Sequence, residues 1–491
     1  MGLLMLRVVI IGGGITGLAA AHRLVEGARE RDAAIDLKLL EAGPRLGGIL
    51  QTTYRDDFLL ELGPDSFISE KPEAIALARR IGLDTNLIET SRENRRSFIV
   101  RDSRLRPVPE GFQLLAPGRL WPFITSDIFS WKGKARMAMD LILPRRRDLN
   151  GSTDESLAAF VKRRLGREAL ERMAQPMIGG IYTADPEMLS LRSTLPRLLE
   201  FERSERSLIL ALRKRARQQS AEELRGTSGA RYSLFLSFDQ GMRLLVERLA
   251  SLIPRGSIHL NSQVNSLAFD QKAQSWAITL ESGSPLHADV VCLCVPAYKA
   301  AELLRTVDTL LAGDLEEIPY ASTATVNLAY RRKDIRHPLN GFGFVVPFIE
   351  KRSLIACTFS SVKFSGRAPE DCVLLRAFVG GALQPEMFAL PEDEIVRRVH
   401  ADLVALLGVE QRPVFTEVAK WRRSMPQYHV GHLERKGRIE ERVAAIAGLA
   451  LAGNAYSGAG IPDCIRSGEA AADRIFAEVR QRFSSHSARS V

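Results

Sequence analysis

The spacing of apolar positions changes several times along the chain, and each change marks an element. Residues 6–11 form a β-branched apolar run, a glycine cluster follows, and from Ile15 to Leu24 the apolar residues recur at helical spacing. A second apolar run, Ile35 to Leu40, ends at Glu41. Strand, turn, helix and strand within about 40 residues predict a β-α-β unit with parallel strands.

Residues 150–220 read as helical: Asp154 and Glu155 stand near a start, and Leu157, Phe160, Val161, Leu165 and Leu170 follow at helical spacing, with Gly179-Gly180 and Pro186 as punctuation. Strand-like runs fill 258–295 and 322–380. A strand at 447–451, a glycine-rich turn and a helix at 463–480 come last. No repeat or low-complexity linker separates these stretches. The expected class is therefore α/β, with domains interleaved in sequence rather than strung in series.

The 491 residues are 45% hydrophobic and 26% charged, enough for a large core and roughly two to four domains. Arg7 and the glycines at 12, 13, 14 and 17 interrupt the apolar start, so it reads as folded protein rather than a signal peptide. No later window reaches the roughly 18 apolar residues of a membrane span. The five cysteines (292, 294, 357, 372, 464) contain no C-x-x-C spacing and read as buried thiols. The net charge of +10 is uneven: residues 111–217 hold 20 Lys or Arg against 12 Asp or Glu, so an anionic partner is considered for that segment. Its aromatics (Trp121, Phe123, Phe129, Trp131) are few among the cations, and its arginines fall at solvated-face spacing, which argues against nucleic acid.

Gly12-x-Gly14-x-x-Gly17 lies between the first predicted strand and helix, where absent side chains let backbone approach a pyrophosphate at a helix N-terminus. Glu41 ends the next strand, placed to accept from ribose hydroxyls and to repel a 2′-phosphate. Three further turns favour a flavin dinucleotide over a nicotinamide one. They are Arg45-Leu46-Gly47-Gly48, whose arginine could meet a phosphate; Gly63-Pro64-Asp65-Ser66, whose backbone could lie beside a flavin ring; and Gly458-Ala459-Gly460-Ile461, which opens the last helix.

The head Ile11-Gly-Gly-Gly-Ile-Thr-Gly-Leu, the Arg45-Leu-Gly-Gly doublet and the tail Ala452-Gly-Asn…Gly-Ala-Gly-Ile-Pro-Asp-Cys-Ile resemble amine-oxidase-type flavoproteins. Within them, Gly180-Ile-Tyr-Thr-Ala-Asp-Pro…Leu189-Ser-Leu, Gly341-Phe-Gly and Pro426-Gln-Tyr-His-Val-Gly-His resemble the oxygen-dependent protoporphyrinogen/coproporphyrinogen oxidases, from residue 6 to about residue 478.

The resemblance implies a Rossmann-type FAD domain in three pieces (1–95, 226–300, 416–480), a helical, membrane-facing domain (96–225), a sheet-based substrate domain (301–415) and a flexible tail (481–491). It implies non-covalent FAD held by Gly12, Gly13, Gly14, Ile15, Thr16, Gly17, Glu41, Ala42, Arg45, Gly48, Gly63, Pro64, Asp65, Ser66, Val264, Trp421, Ala459, Gly460 and Ile461. Val264 would meet adenine through its main chain, and Trp421 would pack near the flavin. The implied reaction removes six electrons from a porphyrinogen in heme biosynthesis, giving coproporphyrin III or protoporphyrin IX, with oxygen reoxidising the flavin to yield hydrogen peroxide. The chemistry is flavin-centred, so no catalytic acid or base and no metal is assigned; His429 and His432 are taken as structural. The implied substrate wall is Gly180, Leu328, Leu339 and Phe359. Plant and animal members place an arginine where this chain has Ser97, which shifts the expected propionate partner to Arg95, Arg96 or Lys71. Further expectations are a cytoplasmic protein, peripheral attachment to an anionic inner membrane face through Trp121, Phe123, Ile124, Ile128, Phe129, Trp131 and the cations Lys132, Lys134, Arg136 and 145–147, and a homodimer as the oligomer considered. The competing reading is a flavin amine oxidase acting on a polyamine.

Overall fold

The computed structural model describes residues 5–110, 112–113, 116–117, 119–146, 154–218 and 235–489. Arg147 of the basic run lies outside them.

A five-stranded parallel sheet gathers strands from distant parts of the chain, in the order Ile258–His259, Ile35–Leu40, Leu6–Ile11, Val290–Leu293 and Leu449–Leu451. The helices Ile15–Glu30 and Ile461–Arg489 pack together on one side, in a core with Leu18, Leu24, Ile465 and Ile475. On the other side Val9, Ile11, Val291 and Leu293 meet Trp276 and the helix Ala297–Leu304. Both faces are covered, and the central strands are apolar runs, 8–11 and Val290–Leu293, while Asp36 and Lys38 alternate with apolar residues in Ile35–Leu40. The last helix begins at Ile461 and continues to Arg489, through most of the stretch expected to be a flexible tail.

A seven-stranded sheet runs Phe415–Pro426, Tyr320–Arg331, Cys372–Gly380, Ala356–Phe359, Gly343–Val345, Phe98–Arg101, Arg104–Pro107. Its bounds exceed the 301–415 expected of a substrate domain. Phe98–Arg101 pairs in parallel with Gly343–Val345, and Phe415–Pro426 is an edge strand. Residues 96–107 and 416–426 thus belong to this sheet, because their main-chain partners lie there. The outer face, with Val326, Leu328, Tyr330 and Phe359, packs against Ile395, Val399 and Leu403 of the helix Glu392–Leu407. Helices of 157–218 form a third body whose core takes in Ile99, Val345 and Ala356 of the large sheet. Arg164 is fully buried in it, its guanidinium bonded to Asp140 and to the carbonyls of Pro144 and Arg206, so part of the segment's positive charge is used internally. Among the described residues the five cysteines are free, and no helix is long and apolar enough to cross a membrane.

Candidate active site

The first helix begins in a cradle built from glycine. Gly17 packs so closely on the strand that a Cβ there would lie 1.9 Å from the Gly12 carbonyl oxygen. Gly12, at φ +110°, adopts a backbone conformation that side-chain-bearing residues rarely hold. Gly14 caps the helix without a side-chain hydrogen bond, and space is open where its Cβ would be. The Glu41 carboxylate accepts from the Gly13 N–H at 2.7 Å and the Gly43 N–H at 2.8 Å, placing a negative charge at the rim. Gly47 N–H bonds the Gly13 carbonyl, which brings the 45–48 turn alongside. Asn261 and Ser262 donate to the carbonyls of Gly43 and Glu41, which brings the start of the strand at Val264 to the same rim. Uncapped amides at a helix N-terminus, open space and a carboxylate one turn away fit a dinucleotide pyrophosphate and ribose.

Other expected cofactor residues have jobs visible within the protein. Arg45 donates to the Gly48 carbonyl and the Gln51 side chain, both at 2.8 Å, and so braces its own turn instead of projecting toward a phosphate. The final helix opens at 459–461, and Gly453 just upstream has open space at its missing Cβ. Lys71, expected near substrate, donates to the buried Asp463 in the first turn of that helix at 2.5 Å.

The 61–66 stretch joins the cradle to the large sheet. A Cβ on Gly63 would lie 1.8 Å from the Ile49 carbonyl oxygen, so only glycine fits there. The Leu62 carbonyl accepts from Thr325 Oγ1 at 2.6 Å and from Trp421 Nε1 at 2.9 Å. Trp421, Thr325 and Asn327 mark the inner face of the sheet. Beside them lies a buried group of charges. Lys363 Nζ sits 3.2 Å from both Asp65 oxygens and 3.0 Å from Ser66 Oγ, with Arg376 Nη1 3.8 Å from Asp65. Burial alone would raise the Asp65 pKa, but Lys363 and Arg376 override it and hold the carboxyl below the usual range. Burial pushes Glu61 up to about 7, against hydrogen bonds from the Met242 N–H and the Thr52 hydroxyl.

The expected substrate wall is not assembled. Leu328, Leu339 and Phe359 all lie in the outer core beneath the helix Glu392–Leu407. Gly180, on the helix Gln175–Tyr182, lies against the inner face instead, its missing Cβ 3.6 Å from Val345 Cγ1. In a strand neighbouring residues point to opposite faces, so a one-residue displacement moves a side chain through the sheet. The register gives the inner row beside Gly180 as Ile99, Val345, Ala356, Phe378 and Thr325, one residue out of phase with Leu328 and Phe359. The next inner row holds Thr358, Arg376 and Asn327. Arg376 was missed, although a lone arginine inside the apolar strand Cys372–Gly380 is a signal that could have found it.

Ser97 is buried, Arg95 half-buried and Arg96 exposed. His432 is buried, which lowers its pKa to about 4, and it packs 4.7 Å from the Tyr428 ring. It is neutral at physiological pH and stands in the packing between elements.

Residues 15–476 match the flavin-containing amine oxidoreductase family. The chain belongs to that family. Membership implies a flavin cofactor. Among relatives, the coproporphyrinogen III oxidase of Bacillus subtilis (strain 168) is 35% identical over 95% of this chain and 97% of its own. That of Propionibacterium freudenreichii subsp. freudenreichii is 36% identical over 96% and 90%. A crystal structure of an Exiguobacterium protein described as a protoporphyrinogen oxidase covers 98% of this chain and 100% of its own, at 30% identity and a TM-score of 0.85.

Proposed function

We propose that the protein is an FAD-dependent, oxygen-using oxidase that converts coproporphyrinogen III to coproporphyrin III in heme biosynthesis. One observation carries the reading: the 61–66 stretch is bonded on one side, through the Leu62 N–H, to the carbonyl of Gln51, whose side chain holds Arg45 of the 45–48 turn, and on the other to the inner face of the large sheet. A flat macrocycle on that face would lie against a flavin ring backed by 63–66. Relatives named for coproporphyrinogen III oxidation, aligned along nearly the whole chain, supply the substrate class.

FAD would be held by the 12–17 turn, Glu41, the 63–66 backbone and the N-terminus of the last helix. When bound, it supplies a two-electron acceptor that oxygen can regenerate. The protein's own part is positioning. Gly180 and the half-buried Phe378 would offer apolar surface to the ring, while the Arg376 cation lies one row away with Lys363 close by at Asp65. That charge also disfavours a polyamine, whose protonated nitrogens it would repel. Anaerobic mixing with coproporphyrinogen III and, separately, protoporphyrinogen IX tests the proposal. Bleaching of the bound flavin with red porphyrin fluorescence supports it, with the faster rate expected for coproporphyrinogen III. Bleaching by an amine and by neither porphyrinogen would overturn it.

A further inference from the structure

We propose that Arg376 binds a substrate carboxylate; the proposal rests on the porphyrinogen reading above. Arg376 lies in the middle of the strand Cys372–Gly380 and is 4% exposed. Its Nε and Nη1 make no hydrogen bond, and its approach to Asp65 is 3.8 Å. Asp65 is already engaged by Lys363, which reaches both carboxylate oxygens and Ser66. Two buried cations thus share one carboxylate, and the guanidinium carries the unspent donors. Buried guanidinium donors without hydrogen bonds are costly unless a ligand completes them, and a carboxylate matches the fork.

The register places Arg376 on the inner face of the sheet, in the row of the buried Ser97. Phe344 lies opposite Phe98 and Val345 opposite Ile99, so Gly343 lies opposite Ser97. Gly343 pairs with Thr358, Thr358 with Arg376 and Arg376 with Asn327. Ser97 and Arg376 therefore occupy one row of the inner face, three strand spacings or roughly 14 Å apart. The guanidinium also lies 4.8 Å over the Phe378 ring, one row from Val345 and Gly180, at the edge of the apolar surface where a macrocycle would rest. A substituent extending from that macrocycle toward the 63–66 turn would bring its carboxylate to Arg376.

The test compares coproporphyrinogen III with its tetramethyl ester, which keeps the shape of the macrocycle and removes its negative charges. Flavin-loaded wild-type protein, Arg376→Met and Arg376→Lys are assayed for kcat and KM. The expected result is that Arg376→Met raises KM for the acid about tenfold or more and leaves KM for the ester within about twofold. Arg376→Lys, which keeps the charge but not the fork, should fall between. If Arg376→Met does not load flavin, Arg376→Lys decides by the same split between acid and ester. An unchanged KM for the acid, or equal losses for acid and ester, would overturn the proposal, the second pattern assigning Arg376 to packing. A wild-type protein that oxidises no porphyrinogen would sink the functional reading, and this inference with it. Turnover of the acid with Arg376 variants unaffected would sink this inference alone.

Discussion

Asn327 donates through Nδ2 to the main-chain carbonyl of Glu61 at 3.2 Å, joining residues 266 apart in sequence. With the Thr325 bond to the next carbonyl, it fixes the inner face of the large sheet against the strand Phe58–Glu61. The Glu61 side chain points the other way, toward Met242 and Thr52, so one residue holds two parts of the chain together. Both bonds satisfy buried backbone carbonyls, and the Leu62 carbonyl has a second donor in Trp421 Nε1.

The Glu61 carboxyl makes stability depend on pH. Its folded pKa is raised to about 7 from the ordinary carboxyl value, so the folded state holds a proton that the unfolded chain has released. Stability from this group is full below the unfolded value near 4.5 and is lost as pH rises toward about 7. Glu61→Gln keeps the shape without the titration. Thermal unfolding of flavin-loaded protein should show the variant matching wild type at pH 4.5 and melting higher at pH 8. Parallel curves across that range would show that Glu61 ionises freely.

Glu41→Ala should weaken FAD binding by about 1–3 kcal/mol, the scale of hydrogen bonds to a charged group. The carboxylate presently bonds Gly13 and Gly43, so the variant also loosens the rim of the cradle. Fluorescence titration of apoprotein with FAD gives the affinity, and turnover at saturating FAD should change little. Unchanged affinity removes Glu41 from the cofactor site.

Phe359 and Phe378 separate packing from binding. Phe359 is fully enclosed in the outer core, so Phe359→Ala should cost about 3–5 kcal/mol in stability and leave KM unaltered. Phe378 is half-buried on the inner face, so Phe378→Ala should raise KM for porphyrinogen by roughly tenfold at a smaller cost in stability. Denaturant melts and steady-state kinetics on both variants decide. The reverse pattern would return the substrate to the outer face.

That pair shows where sequence stops being legible. The glycine turn is readable because its parts are local: Gly12, Gly14 and Gly17 sit where a strand passes into a helix, and Glu41 directly follows the next strand. The inner face depends on long-range register, above all the parallel pairing of Gly343–Val345 with Phe98–Arg101. No local pattern distinguishes Asn327 from Leu328 as the inward residue when both faces of the strand are buried. Arg45 and Lys71 were readable as cations, but not their internal partners Gly48 and Asp463, one reached through a turn and the other across 392 residues.

Gly180 stands exposed on its helix with room for a small side chain before Val345. Gly180→Ala should stabilise the helix by roughly 0.5–1 kcal/mol, since glycine is a poor helix former. Gly180→Leu would reach the inner row and should reduce porphyrinogen turnover with flavin spectra unchanged. Normal turnover in flavin-loaded Gly180→Leu places substrate elsewhere.

The last prediction concerns the surface around Trp121 and Trp131. The aromatic run divides: Phe123 and Phe129 pack with Phe112 in the core, whereas Trp121 is 75% and Trp131 73% exposed, with Ile124 and Ile142 exposed near them in sequence. Some nearby cations are committed internally. Lys134 bonds the Ile124 carbonyl and lies 4.4 Å over the Trp131 ring, and Arg136 bonds carbonyls of 162–164, while Lys132 is exposed. Large apolar side chains exposed near cations suit the headgroup region of an anionic bilayer, each free cation contributing up to about 1 kcal/mol. Attachment of this kind is weak and screened by salt. Co-sedimentation should show binding to anionic vesicles at low salt, little to neutral ones, and release at high salt, with Trp121→Ser/Trp131→Ser reducing the bound fraction. Equal binding to both vesicle types at every salt concentration, or binding to neither, would show that these tryptophans serve something other than an anionic membrane surface.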